Sequence, residues 1–231
     1  EKLNISEPER VFAVHKGYAD AGAEFITANT FGANSLKYDN VDELVKAGVA
    51  LAKKAGKYVA LDIGPTGKLL KPMGDLEFER AVELFAEVVR AGKDGSDVAI
   101  IETMSDMYEL KAAVIAVKEN SDLPIITSMI FDESGRLLTG GDVKSAVAML
   151  EGLRVDAIGF NCGLGPKQMI PLVKELRECT SLPILVMPNA GLPESVDGKT
   201  VYNVSPDEFA QDMREIAKLG VSILGGCCGT T

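Results

Sequence analysis

Short apolar runs alternate with amphipathic segments along the whole chain, and this alternation limits the fold more than any single residue does. Runs at residues 23–29, 58–63, 97–102, 124–129, 157–161, 183–187 and 221–224 read as strands. Between them, residues 6–21, 41–56, 76–93, 106–118, 143–153, 166–179 and 205–220 carry helical periodicity. The runs are continuously apolar, as parallel strands covered on both faces are. Strand follows strand at intervals of roughly 25–40 residues, the length a right-handed βαβ crossover needs. With no Gly-x-Gly-x-x-Gly turn after an early strand, the pattern predicts a (β/α)8 TIM barrel rather than an open dinucleotide-binding sheet.

Local signals support these boundaries. Ser6-Glu7-Pro8-Glu9 and Ser205-Pro206-Asp207-Glu208 have the spacing of capping boxes, and Asp142 is placed to cap the helix that follows it. A length of 231 residues with 46% hydrophobic content suits one large core, so residues 1–231 are expected to form a single domain. The chain opens on a helix and shows about seven strands. The expectation is therefore a barrel truncated at both ends, its first strand lying upstream of Glu1 and its last helix downstream of Thr231.

Composition narrows the partners. A formal net charge of −10 without a basic stripe or tail argues against nucleic acid and anionic membranes. No apolar run approaches the roughly 18–20 residues of a membrane span. A signal peptide is not apparent, although the sequence does not begin with Met. Four cysteines in a chain of this length do not form a disulfide framework; such clusters in a reducing cytoplasm bind metal or do chemistry, so the cytoplasm is the expected location.

The strand-to-helix loops are the long ones, notably 64–75 and 188–204, and in a barrel these share the C-terminal face where active sites lie. Residues just past the strands include Asn29, Asp62, Glu102, Cys162, Asn189, Cys227 and Cys228. Cys227 and Cys228 stand in Gly225-Gly226-Cys227-Cys228-Gly229-Thr230-Thr231, a small-residue corner, and Cys162 follows the run ending at Asn161. Three thiolates with a fourth position left open make a catalytic zinc site. Their convergence is expected to depend on closure of the barrel.

Such an ion carries a formal net charge of about −1, too electron-rich to activate water strongly but suited to holding an incoming thiol as thiolate. Alkylation of a bound thiol is the implied reaction. Alternatives remain at this stage. The cysteines can be small buried residues or a disulfide, and the glycine-rich turn can grip phosphate, as in a barrel lyase or isomerase. A non-catalytic zinc- or thiol-binding module is a third class. Glu102 ends an otherwise apolar strand, so it is expected either to take a cationic group such as an α-ammonium or to form a structural salt bridge. Asp62 either contacts substrate or shapes its turn. Cys179 and the lone His15 are expected to have no chemical role. No lysine ends a strand, against a Schiff-base aldolase.

The stretches Asn29-Thr30-Phe31-Gly32-Ala33-Asn34, Asp62-Ile63-Gly64-Pro65-Thr66-Gly67, Glu102-Thr103-Met104-Ser105-Asp106, Asn161-Cys162-Gly163-Leu164-Gly165-Pro166, Pro188-Asn189-Ala190-Gly191 and the terminal motif together resemble the homocysteine S-methyltransferase family. Within it the chain is most similar to the cobalamin-dependent branch. The resemblance implies zinc on Cys162, Cys227 and Cys228, holding the sulfur of homocysteine as thiolate for methylation to methionine. It implies Glu102 on the substrate amino group and Asn189 close to the metal, as a ligand when substrate is absent. Methylcobalamin, on a cobalamin-binding module of the same or a partner chain that also has a folate-binding module, is the implied donor. Betaine or S-methylmethionine are the donors of more distant relatives. The family's Asp-Gly-Ala-x-Gly-Thr segment, which belongs to the first strand, is absent here.

Overall fold

The computed structural model describes residues 1–230, so Thr231, which closes the terminal motif, lies outside the described residues. Helices α1 (Leu3–Ser6) and α2 (Pro8–Asp20) lead into β1 (Phe25–Thr27), followed by α3 (Val41–Lys53), β2 (Tyr58–Ile63), α4 (Phe78–Gly92), β3 (Val98–Met104) and α5 (Met107–Asn120). Then come β4 (Ile125–Met129), α6 (Val143–Gly152), β5 (Ala157–Asn161), α7 (Pro166–Cys179), β6 (Ile184–Met187), β7 (Glu194–Val196), β8 (Lys199–Val201), α8 (Pro206–Lys218) and β9 (Ile223–Leu224). Seven strands form the parallel sheet, in the order β1-β2-β3-β4-β5-β6-β9, the arrangement expected of a (β/α) barrel chain. Among the described residues no helix is long and apolar enough to cross a membrane.

The chain divides into two compact units, residues 1–102 with 108–125, and residues 103–107 with 126–231. In the first, β1 pairs with β2 and β2 with β3, all parallel. Leu44, Val45, Leu61, Leu84, Val89 and Ile101 fill its core at 1% exposure or less. Helix α4 ends on Gly92, where a Cβ would come within 2.4 Å of Leu61 Cδ1; the missing side chain lets the helix end sit against the strand.

In the second unit β4, β5, β6 and β9 run parallel in that order. Phe160 packs edge-on against Phe131, with ring centroids 5.3 Å apart. The cap expected at Asp142 and the capping box expected at Ser205 are both formed: Asp142 accepts from Ser145 N and Ser205 from Glu208 N. Each such cap contributes about 1 kcal/mol.

Two local expectations differ from the structure. Ser6 does not cap α2; it is the last residue of α1, its hydroxyl donates to Lys2 O, and Glu7 is the N-cap without a side-chain capping bond. A helical turn immediately upstream takes Ser6 out of the extended conformation a cap requires. The loop at 188–204 also contains a two-stranded antiparallel hairpin, β7 with β8. Its turn residues Asp197 and Gly198 have φ of 50° and 75°, as a type I′ turn demands.

Candidate metal centre

The site in the second unit is built by register. Asn161 of β5 lies opposite Met187 of β6, and Val186 opposite Leu224 of β9. The three strands therefore end level, and backbone bonds continue the ladder past their ends: Cys162 N to Met187 O at 3.1 Å, Gly225 N to Val186 O at 3.1 Å, and Cys227 N to Pro188 O at 2.8 Å. Ala190 N then donates to Cys228 O at 2.9 Å. One intervening strand brings Cys162 to the terminal pair, so convergence follows from sheet neighbours rather than from closure of a ring.

Cys162, Cys227 and Cys228 place their sulfurs within 4.8 Å of one another. The Cys162–Cys228 and Cys227–Cys228 separations are 3.9 and 4.0 Å, and none of the three cysteines is in a disulfide. Metal–sulfur bonds of about 2.3 Å in a tetrahedron put sulfurs about 3.8 Å apart, so the cluster has the size to hold one ion. A disulfide, at about 2.05 Å, is far shorter than these separations. The Cys162 thiol is pulled down to about 5, chiefly by the Cys227 side chain, against the opposing effect of burial. Gly163 N–H, Cys228 and Asn189 also hydrogen-bond it and lower it further. Donors aimed at the sulfur favour its anionic form.

Two buried asparagines orient this corner. Asn189 accepts from Cys228 N at 3.0 Å through Oδ1, so its amide nitrogen is the group left to face the Cys162 sulfur. Asn161, which is fully buried, reaches Cys227 Sγ at 3.8 Å. Tyr202, just after the hairpin, lies across Gly229: a Cβ there would meet its ring within 2.3 Å, and its hydroxyl hydrogen-bonds Cys228. The sequence reading found Asn189 but neither Asn161 nor Tyr202. The Asp197-Gly198 pair was the signal for the hairpin that delivers Tyr202.

The first unit holds the two carboxylates. Asp62, next to last in β2, is 5% exposed, and its Oδ1 has no hydrogen-bond partner. Burial, then the charge of Glu102, then that of Glu1 push its pKa well up. Glu102 is half-buried in β3. The loop after Asp62 is latched by Glu109, which accepts from Thr66 N at 2.8 Å and Thr66 Oγ1 at 2.6 Å. Of the residues expected to be bystanders, Cys179 ends α7 with a free thiol, and His15 is buried in α2 with no partner on Nε2.

A parallel β/α barrel fold with thiols gathered at the ends of its strands defines a class of protein with a cysteine cluster of the size that holds one metal ion. The particular family is homocysteine S-methyltransferase: the chain belongs to it, matching over residues 1–231. It is 32% identical to the methionine synthases of Mycobacterium leprae and Mycobacterium tuberculosis over its whole length. It spans only 21% of those two proteins. The homocysteine methyltransferase MmuM from Escherichia coli, in its metallated form, shares the fold with a TM-score of 0.83 at 23% identity, over all of this chain and 83% of that one.

Proposed function

We propose that residues 1–231 act as one homocysteine-binding domain of a zinc-dependent methyltransferase of the methionine-synthase type, with methylcobalamin as methyl donor. The observation that carries this reading is the sulfur cluster of Cys162, Cys227 and Cys228, all within 4.8 Å. These three side chains would hold zinc, which supplies a lowered pKa to a thiol brought beside it. The amide of Asn189 favours the anionic form of the Cys162 sulfur, and that of Asn161 orients the Cys227 sulfur. Glu102 is assigned to the α-ammonium of homocysteine, and Asp62, whose buried Oδ1 has no partner, to a further polar contact with the substrate. The homocysteine sulfur, as thiolate, attacks the methyl carbon in line. The new S–C bond forms as the donor's bond to that carbon breaks, and methionine leaves as a thioether, a poor ligand for the ion.

Methylcobalamin is favoured over betaine and S-methylmethionine by the likeness to the two mycobacterial methionine synthases. Because the chain spans a fifth of their length, the cobalamin- and folate-binding modules are assigned to the rest of the protein or to a partner. The test is the full-length protein, assayed for zinc per chain and for methionine formed from homocysteine with each of the three donors. About one zinc per chain and turnover with methylcobalamin are expected. Turnover in zinc-free protein would sink the reading.

A further inference from the structure

Asn161 makes more bonds than a strand end needs. Its side chain is fully buried at the end of β5. Oδ1 accepts from Thr103 N at 2.8 Å and from Ser128 Oγ at 2.7 Å. A backbone N–H can only donate, so this bond settles which end of the amide is oxygen. Nδ2 must then face Thr103 Oγ1, at 2.7 Å, and Cys227 Sγ, at 3.8 Å. Both hydrogens and both lone pairs of the amide are used.

The bond to Thr103 falls where the backbone needs it. Thr103 has φ of 60°, a left-handed conformation that β-branched residues strongly avoid. Such a conformation persists only where its surroundings hold it. Asn161 grips Thr103 on both sides, at its N–H and at its hydroxyl. Thr103 directly follows Glu102 within β3, so its φ sets the course of the backbone at the C-terminal end of that strand, beside Glu102.

We propose that Asn161 is a positioning residue with two separable tasks: it locks the left-handed turn at Thr103, and it donates a hydrogen bond to the Cys227 sulfur. The proposal rests on the reading of the three cysteines as metal ligands. Only an amide does both, since a carboxylate cannot donate and an aliphatic side chain can do neither.

The test uses the full-length protein with Co2+ in place of zinc, the sulfur-to-cobalt charge-transfer band being the readout on Cys227. Asn161→Asp retains the acceptor for Thr103 N but removes the donor to sulfur, so the band is expected to move to lower energy. Thr103→Gly leaves the donor in place and is expected to leave the band where it is. On the other side, Asn161→Leu frees the turn and is expected to raise the KM for homocysteine at least tenfold. Adding Thr103→Gly to that variant restores most of the loss, because glycine adopts a positive φ unaided. Circular dichroism confirms that each variant is folded. An unmoved band in cobalt-loaded Asn161→Asp, or no restoration by glycine, overturns the proposal alone. A wild-type protein that takes up no cobalt overturns it together with the metal reading.

Discussion

The strand ends of the two compact units treat buried acids in opposite ways. In the first, Asp62 is buried beside the charge of Glu102, its Oδ1 has no donor, and its pKa is driven up. In the second, Cys162 is also partly buried, yet its pKa falls to about 5 because other thiols, a backbone N–H and an amide point at its sulfur. Burial alone pushes an acid toward its neutral form, and only donors placed against it reverse the direction. One region thus holds its acid toward the neutral form, while the other holds the Cys162 sulfur toward its anion.

The largest effect expected from breaking this contrast is at the thiol end. Cys228→Ser should lose zinc and methyl transfer together, with turnover reduced by at least about a hundredfold, as the loss of a metal ligand or its support typically does. Zinc analysis and a methionine assay on the same preparation check it. Loss of zinc with intact transfer would mean that the metal is not part of the reaction.

A smaller change is expected at the carboxylate end. Glu102→Gln should raise the KM for homocysteine by about ten- to a hundredfold with kcat less affected, the pattern of lost ground-state binding. Homocysteine analogues lacking the amino group should not distinguish the variant from the wild type. If they do, Glu102 serves another purpose.

The smallest effect concerns stability. Because the Asp62 pKa is raised above its ordinary 3.8, the folded protein keeps a proton that the unfolded chain gives up. Its contribution is complete below the unfolded value and is lost as pH rises through the folded one. Denaturant midpoints should therefore decline from about pH 4 upward. Asp62→Asn should flatten that decline. An unchanged slope would show that Asp62 stays ionised.

Much of this was legible residue by residue. The Ser205 and Asp142 caps form as their spacing indicates, and the apolar runs became the seven parallel strands. The Cys-Cys corner and Asn-Cys turn do meet. Other features were not legible for physical reasons. Ser6 failed as a cap because the residues before it are themselves helical. The Asp197-Gly198 hairpin was written in the chain but lay within a stretch read only as a long loop of the active-site face. Asn161 looked like a neighbour of a ligand, since its partners Thr103, Ser128 and Cys227 are 58, 33 and 66 residues away.

What the sequence determined by itself is therefore local: period, caps, turn chemistry and the presence of sulfur at strand ends. These depend on residues within a few positions of one another, where the covalent chain already does the placing. The tertiary structure alone decided which thiols share one ion-sized space, which amide end faces which sulfur, and why a threonine can hold a left-handed turn. Each of those rests on the register of β5, β6 and β9 or on a bond between distant strands, and such pairings exist only once the sheet has formed.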